Sequence, residues 1–273
     1  MNRSMLNRLP DIISLARQRA RELWTCSADV RPGRRRPPWS AARMTADAHH
    51  GHRVSLLCGD DLSVMSGLLS GQAQDGPLAG RVSLVWLSDA ADPAPDGLNP
   101  PSNSLQTRVR RLIELSTRLF LARDLLVDQG ALVVTADTDA DRCAERLLGA
   151  VFGQAQALPP GVGQAPTTCA YLAGTLLPQR LPAASGAALL GELVRTLTGR
   201  NDHVLVMGAQ PAFSMWVAAL ERRWVLAQSE PLAFSLLREH IVARQMELAR
   251  RPLQDETSRE WPASPLSRAR RTT

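Results

Sequence analysis

The chain has 273 residues, 44% of them apolar and 21% charged, and its 32 basic and 26 acidic residues give a net charge of +6. This length and composition allow one large or two small domains with a sizeable core, and they exclude collagen-like, wholly disordered and disulfide-framework proteins. No apolar run reaches the roughly 18 residues of a transmembrane helix, residues 1–10 lack a signal-peptide core, and the four cysteines are widely spaced, so we expect a cytoplasmic protein without membrane association or a metal site.

The first 52 residues read as a basic helix followed by a linker. An amphipathic stretch predicts a helix from about Leu9 to Trp24, and a Pro/Gly/Arg-rich linker follows from Val30 to Ser40. The linker contains the nucleic-acid contacts that we predict, namely Arg34, Arg35 and Arg36, because basic arms attract phosphate backbones through counterion release. A solvated terminus is the alternative.

From residue 53 the pattern changes to alternating strands and helices. Short apolar runs predict strands at Val54–Cys58 and Val82–Leu87, with a helix from about Leu62 to Leu69 between them. A long helix is predicted from about Leu105 to Asp128, with Gly130 as its C-cap, and then come a strand over 131–135 and a helix over 141–152.

The rest of the chain starts with a stretch rich in Pro, Gly and Ala, 154–186, which we interpret as a connecting loop. After it, helices are predicted over 187–197, 214–221 and 232–248, and strands over 203–207 and 224–228. This order predicts an α/β domain over 53–249, with a mostly parallel sheet covered by helices on both faces, and a basic tail over 250–273.

Four stretches resemble the permuted, β-group DNA amino-methyltransferases, which act on adenine N6 or cytosine N4. The resemblance is nearest to the modification subunits of type III restriction systems. The matching stretches are Val54-Ser-Leu-Leu-Cys-Gly-Asp-Asp, Arg81-Val-Ser-Leu-Val-Trp-Leu, the segment from Arg118 to Gly153, and the segment from Val204 to Arg238. The resemblance implies a Rossmann-like fold that binds S-adenosylmethionine at the carboxyl ends of its strands.

The resemblance also assigns functional positions, and most of them have changed. Where the family has its catalytic Asp-Pro-Pro-Tyr, this chain has Ser88, Asp89 and two alanines. The family's glycine-rich cofactor loop aligns with the segment after Met207, where only Gly208 remains. The acidic residue expected to hold the cofactor's ribose aligns with Gln228, with Glu230 two positions on, and Asp60 is the best preserved polar residue near a strand end.

Three hypotheses follow from these losses. The first is a catalytically inactive relative that acts as a scaffold or as the partner of an active modification methyltransferase, binding S-adenosylmethionine only if its pocket is intact. The second is a divergent but active DNA adenine-N6 methyltransferase in which Asp89 contacts the target amine. The third is a module that binds DNA through its arginine-rich ends alone.

Overall fold

The fold is taken from a computed structural model. It describes residues 7–28, 40–45, 53–72, 76–89, 105–137, 141–158, 168–174, 186–199, 202–207 and 224–229. The helices predicted over 214–221 and 232–248, the arginines Arg34, Arg35 and Arg36, and the tail over 250–273 lie outside the described residues.

Five helices and eight strands make up the described part of the chain. The helices are α1 (Leu9–Ala28), α2 (Asp61–Ser70), α3 (Leu105–Leu125), α4 (Asp141–Phe152) and α5 (Gly186–Leu197). The strands are β1 (Ser40–Thr45), β2 (Arg53–Cys58), β3 (Val82–Asp89), β4 (Leu126–Asp137), β5 (Gln154–Ala157), β6 (Thr168–Gly174), β7 (His203–Met207) and β8 (Trp224–Ser229).

All eight strands join one sheet in the order β1-β2-β8-β7-β3-β4-β6-β5. The five strands from β2 to β4 in that order are mutually parallel. β1 and β6 run antiparallel to their neighbours β2 and β4, and β5 is antiparallel to β6. The prediction of a mostly parallel α/β sheet is confirmed.

The two faces of the sheet are separate apolar layers. One face, which we call the α1–α4 face, contributes Val85 and Leu87 of β3 and Val134 of β4 to the same buried cluster as the helices α1 to α4. The residues that alternate with these, including Leu84 and Trp86, are buried outside that cluster, and α5 contacts β3. We call this second side the α5 face. Helices therefore lie on both faces of the sheet, as a parallel sheet requires.

Helix α1 is part of this core. It buries one stripe of residues at helical spacing and packs against α2 and α3. At its last turn the Ser27 hydroxyl donates to the Ser66 hydroxyl at 3.0 Å, and the Gln72 amide donates to the Ser27 carbonyl at 3.1 Å. Near its middle the Arg17 guanidinium lies 5.2 Å from the centre of the Phe120 ring, within range of a cation–π interaction. The buried stripe consists of Leu9, Ile12, Ala16 and Ala20.

Two predictions about the middle of the chain are wrong. The stretch 154–186 is not a connecting loop throughout, because β5 and β6 form the far side of the sheet and α5 begins at Gly186. Helix α3 ends at Leu125 rather than Asp128, and Gly130 lies inside β4 instead of capping the helix. The alanine-rich sequences of β5 and β6 contain few of the branched residues that mark strands.

Candidate functional site

A topological switch point lies between β7 and β3, which are neighbours in the middle of the sheet. From β3 the chain passes through α3 to β4 on one side, whereas from β7 it goes to β8 on the other side. In open α/β sheets a crevice forms where successive connections leave in opposite directions, and ligands bind there beyond the carboxyl ends of the strands. We call this border of the sheet the switch edge; its strands end at Cys58, Ser229, Met207, Asp89 and Asp137.

Ser88 and Asp89 are the last two residues of β3, so both lie at the switch edge. The residue before them, Leu87, pairs with Met207 of β7 on one side. Ser88 pairs with Thr135 of β4 on the other side, and its side chain is half-buried. The position aligned with the family's catalytic carboxylate is therefore next to the switch point.

The predicted cofactor residues lie at the same edge, as far as the structure describes them. Gln228 is in β8, paired with Leu57 of β2, and β8 is two strands from β3, which corresponds to about 10 Å. Gly208 and Glu230 lie outside the described residues, directly after the ends of β7 and β8 in sequence.

Asp60 has a structural task of its own. It follows β2 and is the N-cap of α2, where its carboxylate accepts the backbone N–H groups of Leu62 at 3.3 Å and Ser63 at 3.0 Å. The side chain is exposed, so oxygen lone pairs remain available on the solvent side. A capping role alone accounts for an aspartate in the Gly-Asp turn.

An ion pair ties this turn to the helix that follows β3. The Arg118 guanidinium of α3 lies 3.4 Å from the Asp61 carboxylate, and the two side chains are only 17% and 21% exposed. Asp61 is the first residue of α2, so the pair connects the carboxyl end of β2 with α3. In the sequence, Arg118 lies in the segment that resembles the family, and the sequence alone predicts no role for it.

Thr135 was not singled out in the sequence, although it directly neighbours Ser88 across the sheet. The pattern Val-Val-Thr in an apolar strand marks a strand but gives no sign of the residue that Thr135 will neighbour across the sheet. Only the register of β4 against β3 brings the two hydroxyl groups together.

No group of three or more His, Cys, Asp or Glu side chains suited to a metal ion occurs among the described residues. Of the cysteines there, Cys143 on α4 is notable, because burial raises the pKa of its thiol while the nearby charges of Arg108 and Arg146 act in the opposite direction. Among the described helices none is long and apolar enough to cross a membrane.

Several solved structures are similar to this chain. TTHA0409 of Thermus thermophilus, named as a DNA modification methylase, is 18% identical, with 71% of this chain and 95% of that chain covered and a TM-score of 0.49. M1.HpyAVI is 10% identical over 70% of this chain and 99% of its own, with a TM-score of 0.45. The PvuII cytosine-N4-specific DNA methyltransferase is 14% identical, with 71% of this chain and 92% of that chain covered and a TM-score of 0.46.

TTHA0409 and the PvuII protein are named as a DNA modification methylase and a DNA methyltransferase. A complex of TTHA0409 with S-adenosyl-L-methionine is also similar to this chain, with 19% identity and a TM-score of 0.44. No protein-family model matches the chain, and no curated protein matches it. At these identities and TM-scores the likeness concerns the fold alone.

Proposed function

We propose that this protein is a DNA-methyltransferase-like scaffold that has lost catalysis and acts in the cytoplasm as the partner of an active modification methyltransferase. The observation that carries the proposal is the end of β3. This strand lies next to the switch point, and it ends in Ser88 and Asp89 where the family places Asp-Pro-Pro-Tyr.

The chemistry of amine methylation explains why this change matters. The amine nitrogen becomes positively charged as it attacks the methyl group, and a carboxylate beside it stabilises that charge. The Ser88 hydroxyl is neutral and provides far less of this stabilisation. The family's aromatic ring, which stacks on the flipped base, is replaced by Ala91, and the loss of such stacking costs about 1–3 kcal/mol.

S-adenosylmethionine is the cofactor that the resemblance implies, and some residues at the switch edge are suited to bind it. Asp60 presents an exposed carboxylate at the end of β2, and Gln228 lies in the neighbouring strand β8, so that these two residues would contact its adenosine end. Gly208 is the position where the backbone would approach the cofactor, and Glu230 would complete the set. When bound, the cofactor supplies the methyl group.

A second candidate function is an active DNA adenine-N6 methyltransferase. It is favoured by one observation, since Asp89 is the last residue of β3 and lies at the switch edge. In this case Asp89 would accept the hydrogen bond of the target amine, one position later in sequence than the family's aspartate. DNA is the proposed partner in both cases, and Arg34, Arg35 and Arg36 are proposed to bind its phosphates.

Calorimetric titration with S-adenosylmethionine and its demethylated product, followed by methyl transfer from labelled cofactor to DNA, tests both candidates. Micromolar binding, about −8 kcal/mol, without methyl transfer is the result expected for the scaffold. Methyl transfer that is lost in Asp89→Asn but kept in Glu145→Gln, an exposed control on α4, would establish the enzyme instead. No binding at millimolar ligand would remove the cofactor from the proposal.

The partner is tested separately by adding the chain to an active type III modification subunit. Co-elution of the two proteins and a changed rate of DNA methylation are expected. Independent elution with an unchanged rate contradicts the partner role.

A further inference from the structure

An ion pair joins helix α3 to the first residue of helix α2. The guanidinium nitrogen Nη1 of Arg118 lies 3.4 Å from Oδ2 of Asp61, although the two residues are 57 positions apart in the chain. The ion pair between Arg110 and Glu114 is different, because it joins neighbouring turns of α3 and the Arg110 side chain is 81% exposed. The Arg118 pair therefore connects two separate elements at a place that is largely sheltered from water.

Such a sheltered pair orients elements more than it stabilises the fold. Two charges that leave water lose their hydration, and the attraction between them returns little net stability. Separating the same two charges within the fold is costly, however, because their hydration has already been lost. The pair thus favours one position of α2 relative to α3, whereas the apolar contacts between the two helices have no preferred direction.

The group that this position controls is the carboxylate of Asp60. The first N–H groups of a helix have no acceptor within the helix, so the amides of Leu62 and Ser63 depend on the Asp60 carboxylate that accepts from them. The N–H of Val64 donates to the Asp60 carbonyl at 3.0 Å and closes the first turn. Asp61 lies inside this turn, between the cap and the amides that it binds. A shift of Asp61 therefore displaces the carboxylate next to it.

We propose that Arg118 is a positioning residue for the switch edge, which fixes the direction of the Asp60 carboxylate by holding Asp61. The inference rests on the proposed function for its ligand, since the exposed side of that carboxylate is where the adenosine end of S-adenosylmethionine would bind. Arg118 acts through Asp61 rather than by contact with the cofactor. The role belongs to α3, a helix from which the sequence predicts no cofactor residue.

Hydrogen exchange of the ligand-free protein, followed by NMR for individual amides, tests the positioning. The amides of Leu62 and Ser63 report on the Asp60 carboxylate. The amide of Phe120, a buried residue of α3, reports on the stability of the core. Arg118→Gln removes the charge and keeps a long polar side chain. We expect this variant to raise the exchange rates of Leu62 and Ser63, relative to that of Phe120, about twofold to fivefold.

Two further variants show whether the ion pair is the cause. Arg110→Gln is the matched control, because it breaks the exposed pair with Glu114 on the same helix, and it is expected to keep the wild-type exchange ratio. Asp61→Asn removes the other partner of Arg118 and is expected to raise the ratio as Arg118→Gln does. Since both changes remove one pair, the effect of the double variant should stay well below the product of the two single effects.

Calorimetric titration with S-adenosylmethionine connects the position of the carboxylate with the ligand. We expect Arg118→Gln to weaken the affinity about twofold to fivefold and Arg110→Gln to leave it unchanged. A wild-type exchange ratio in Arg118→Gln overturns the inference. An equal rise of exchange at Leu62, Ser63 and Phe120 also overturns it, because the ion pair then only stabilises the fold.

The outcomes separate this inference from the proposed function. If the wild type binds S-adenosylmethionine and Arg118→Gln binds it equally well, the inference is overturned while the cofactor is retained. If the wild type binds no S-adenosylmethionine, the cofactor part of the proposed function fails. The exchange ratio of Arg118→Gln then decides by itself whether Arg118 positions the carboxylate.

Discussion

Gly130 occupies a place where two parts of β4 come close together. Strand β4 pairs with Val82 at Leu126 and next with Leu84 at Ala131, so the residues 127–130 bulge out opposite a single residue of β3. A Cβ atom at position 130 would lie 2.9 Å from Leu126 Cδ2 and 3.0 Å from the Val127 carbonyl oxygen. Close approach therefore accounts for this glycine, and the helix cap that its sequence context predicted does not exist.

Gly130→Ala is expected to lower the free energy of unfolding by about 1–3 kcal/mol, because the bulge must shift to make room for the methyl group. Gly149 on α4 is the matched control, since a Cβ atom there meets nothing within 4 Å. Gly149→Ala is expected to raise the free energy of unfolding by about 0.5–1 kcal/mol through helix propensity. Urea denaturation measures both, and equal effects of the same sign would contradict this account.

Cys143 makes stability depend on pH above the ordinary pKa of its thiol, 9.0. Burial raises the pKa in the folded state, so between the unfolded and the folded pKa the folded protein keeps a proton that the unfolded chain has lost. The stabilising contribution is complete below pH 9 and is lost as the pH rises through the folded pKa. We expect Cys143→Ala to flatten the fall of the unfolding free energy above pH 9.

Chemical denaturation at a series of pH values from neutral to alkaline measures that slope. Cys26→Ala is the control, because Cys26 is exposed, and it should leave the slope of the wild type unchanged. A slope in Cys143→Ala as steep as in the wild type would assign the alkaline loss of stability to other groups.

At the scale of elements, the apolar runs of the central strands are sufficient to predict them. Strands β2, β3, β7 and β8 begin and end within two residues of their predicted bounds. In β3 and β7 the residues 82–87 and 204–207 are buried, and a strand that is buried on both faces is built mostly from apolar residues. Edge strands lack this requirement. β1 and β5 consist mainly of small and polar residues, and the sequence pattern missed both.

The candidate site was predictable only where it follows strand ends. Ser88, Asp89, Asp60 and Gln228 all come at or directly after predicted strands, and the structure places their backbones at one edge of the sheet. The capping role of Asp60 and the pairing of Ser88 with Thr135 depend on local geometry and on sheet register, which a single sequence does not contain. Their roles toward ligands stay predictions.

Asp60 allows the structural and the binding role of one carboxylate to be separated. Asp60→Ala removes the cap of α2 and is expected to lower the free energy of unfolding by about 1 kcal/mol. Asp60→Asn keeps a capping oxygen, so its stability should stay within about 0.5 kcal/mol of the wild type. If Asp60 also contacts S-adenosylmethionine, Asp60→Asn weakens the calorimetric affinity although its stability is kept; unchanged affinity would limit Asp60 to capping.

At the scale of the whole molecule, the basic N-terminal segment cannot be treated as a dispensable arm. Helix α1 contributes Leu9, Ile12 and Ala16 to the main core, and β1 pairs with β2 along its whole length. Removing residues 1–53 would take away these contacts together with the arginines. If such a truncation lost DNA binding, the loss could come from unfolding or from the missing positive charges. Substitution of Arg34, Arg35 and Arg36 alone therefore tests the contribution of these charges to DNA binding more directly.

Two substitutions on α1 measure how much the helix contributes. Ile12 is 3% exposed, and Ile12→Ala is expected to lower the free energy of unfolding by about 2–5 kcal/mol. Leu15 lies one turn away and is 50% exposed, so Leu15→Ala should change it by less than about 0.5 kcal/mol. Urea denaturation of the two variants compares them directly; similar small effects would mean that α1 is only loosely attached.

The order of strands in the sheet also sets the order in which the chain can fold. β2 has β8 as its parallel neighbour, and their paired residues, such as Arg53 and Trp224, are 171 positions apart in the chain. During synthesis β2 leaves the ribosome long before its parallel neighbour β8 is made, and β3 likewise emerges before its parallel neighbour β7. Such distant pairings slow folding and leave apolar strands open to misassociation. The nascent chain should therefore depend on chaperones until its last third has emerged.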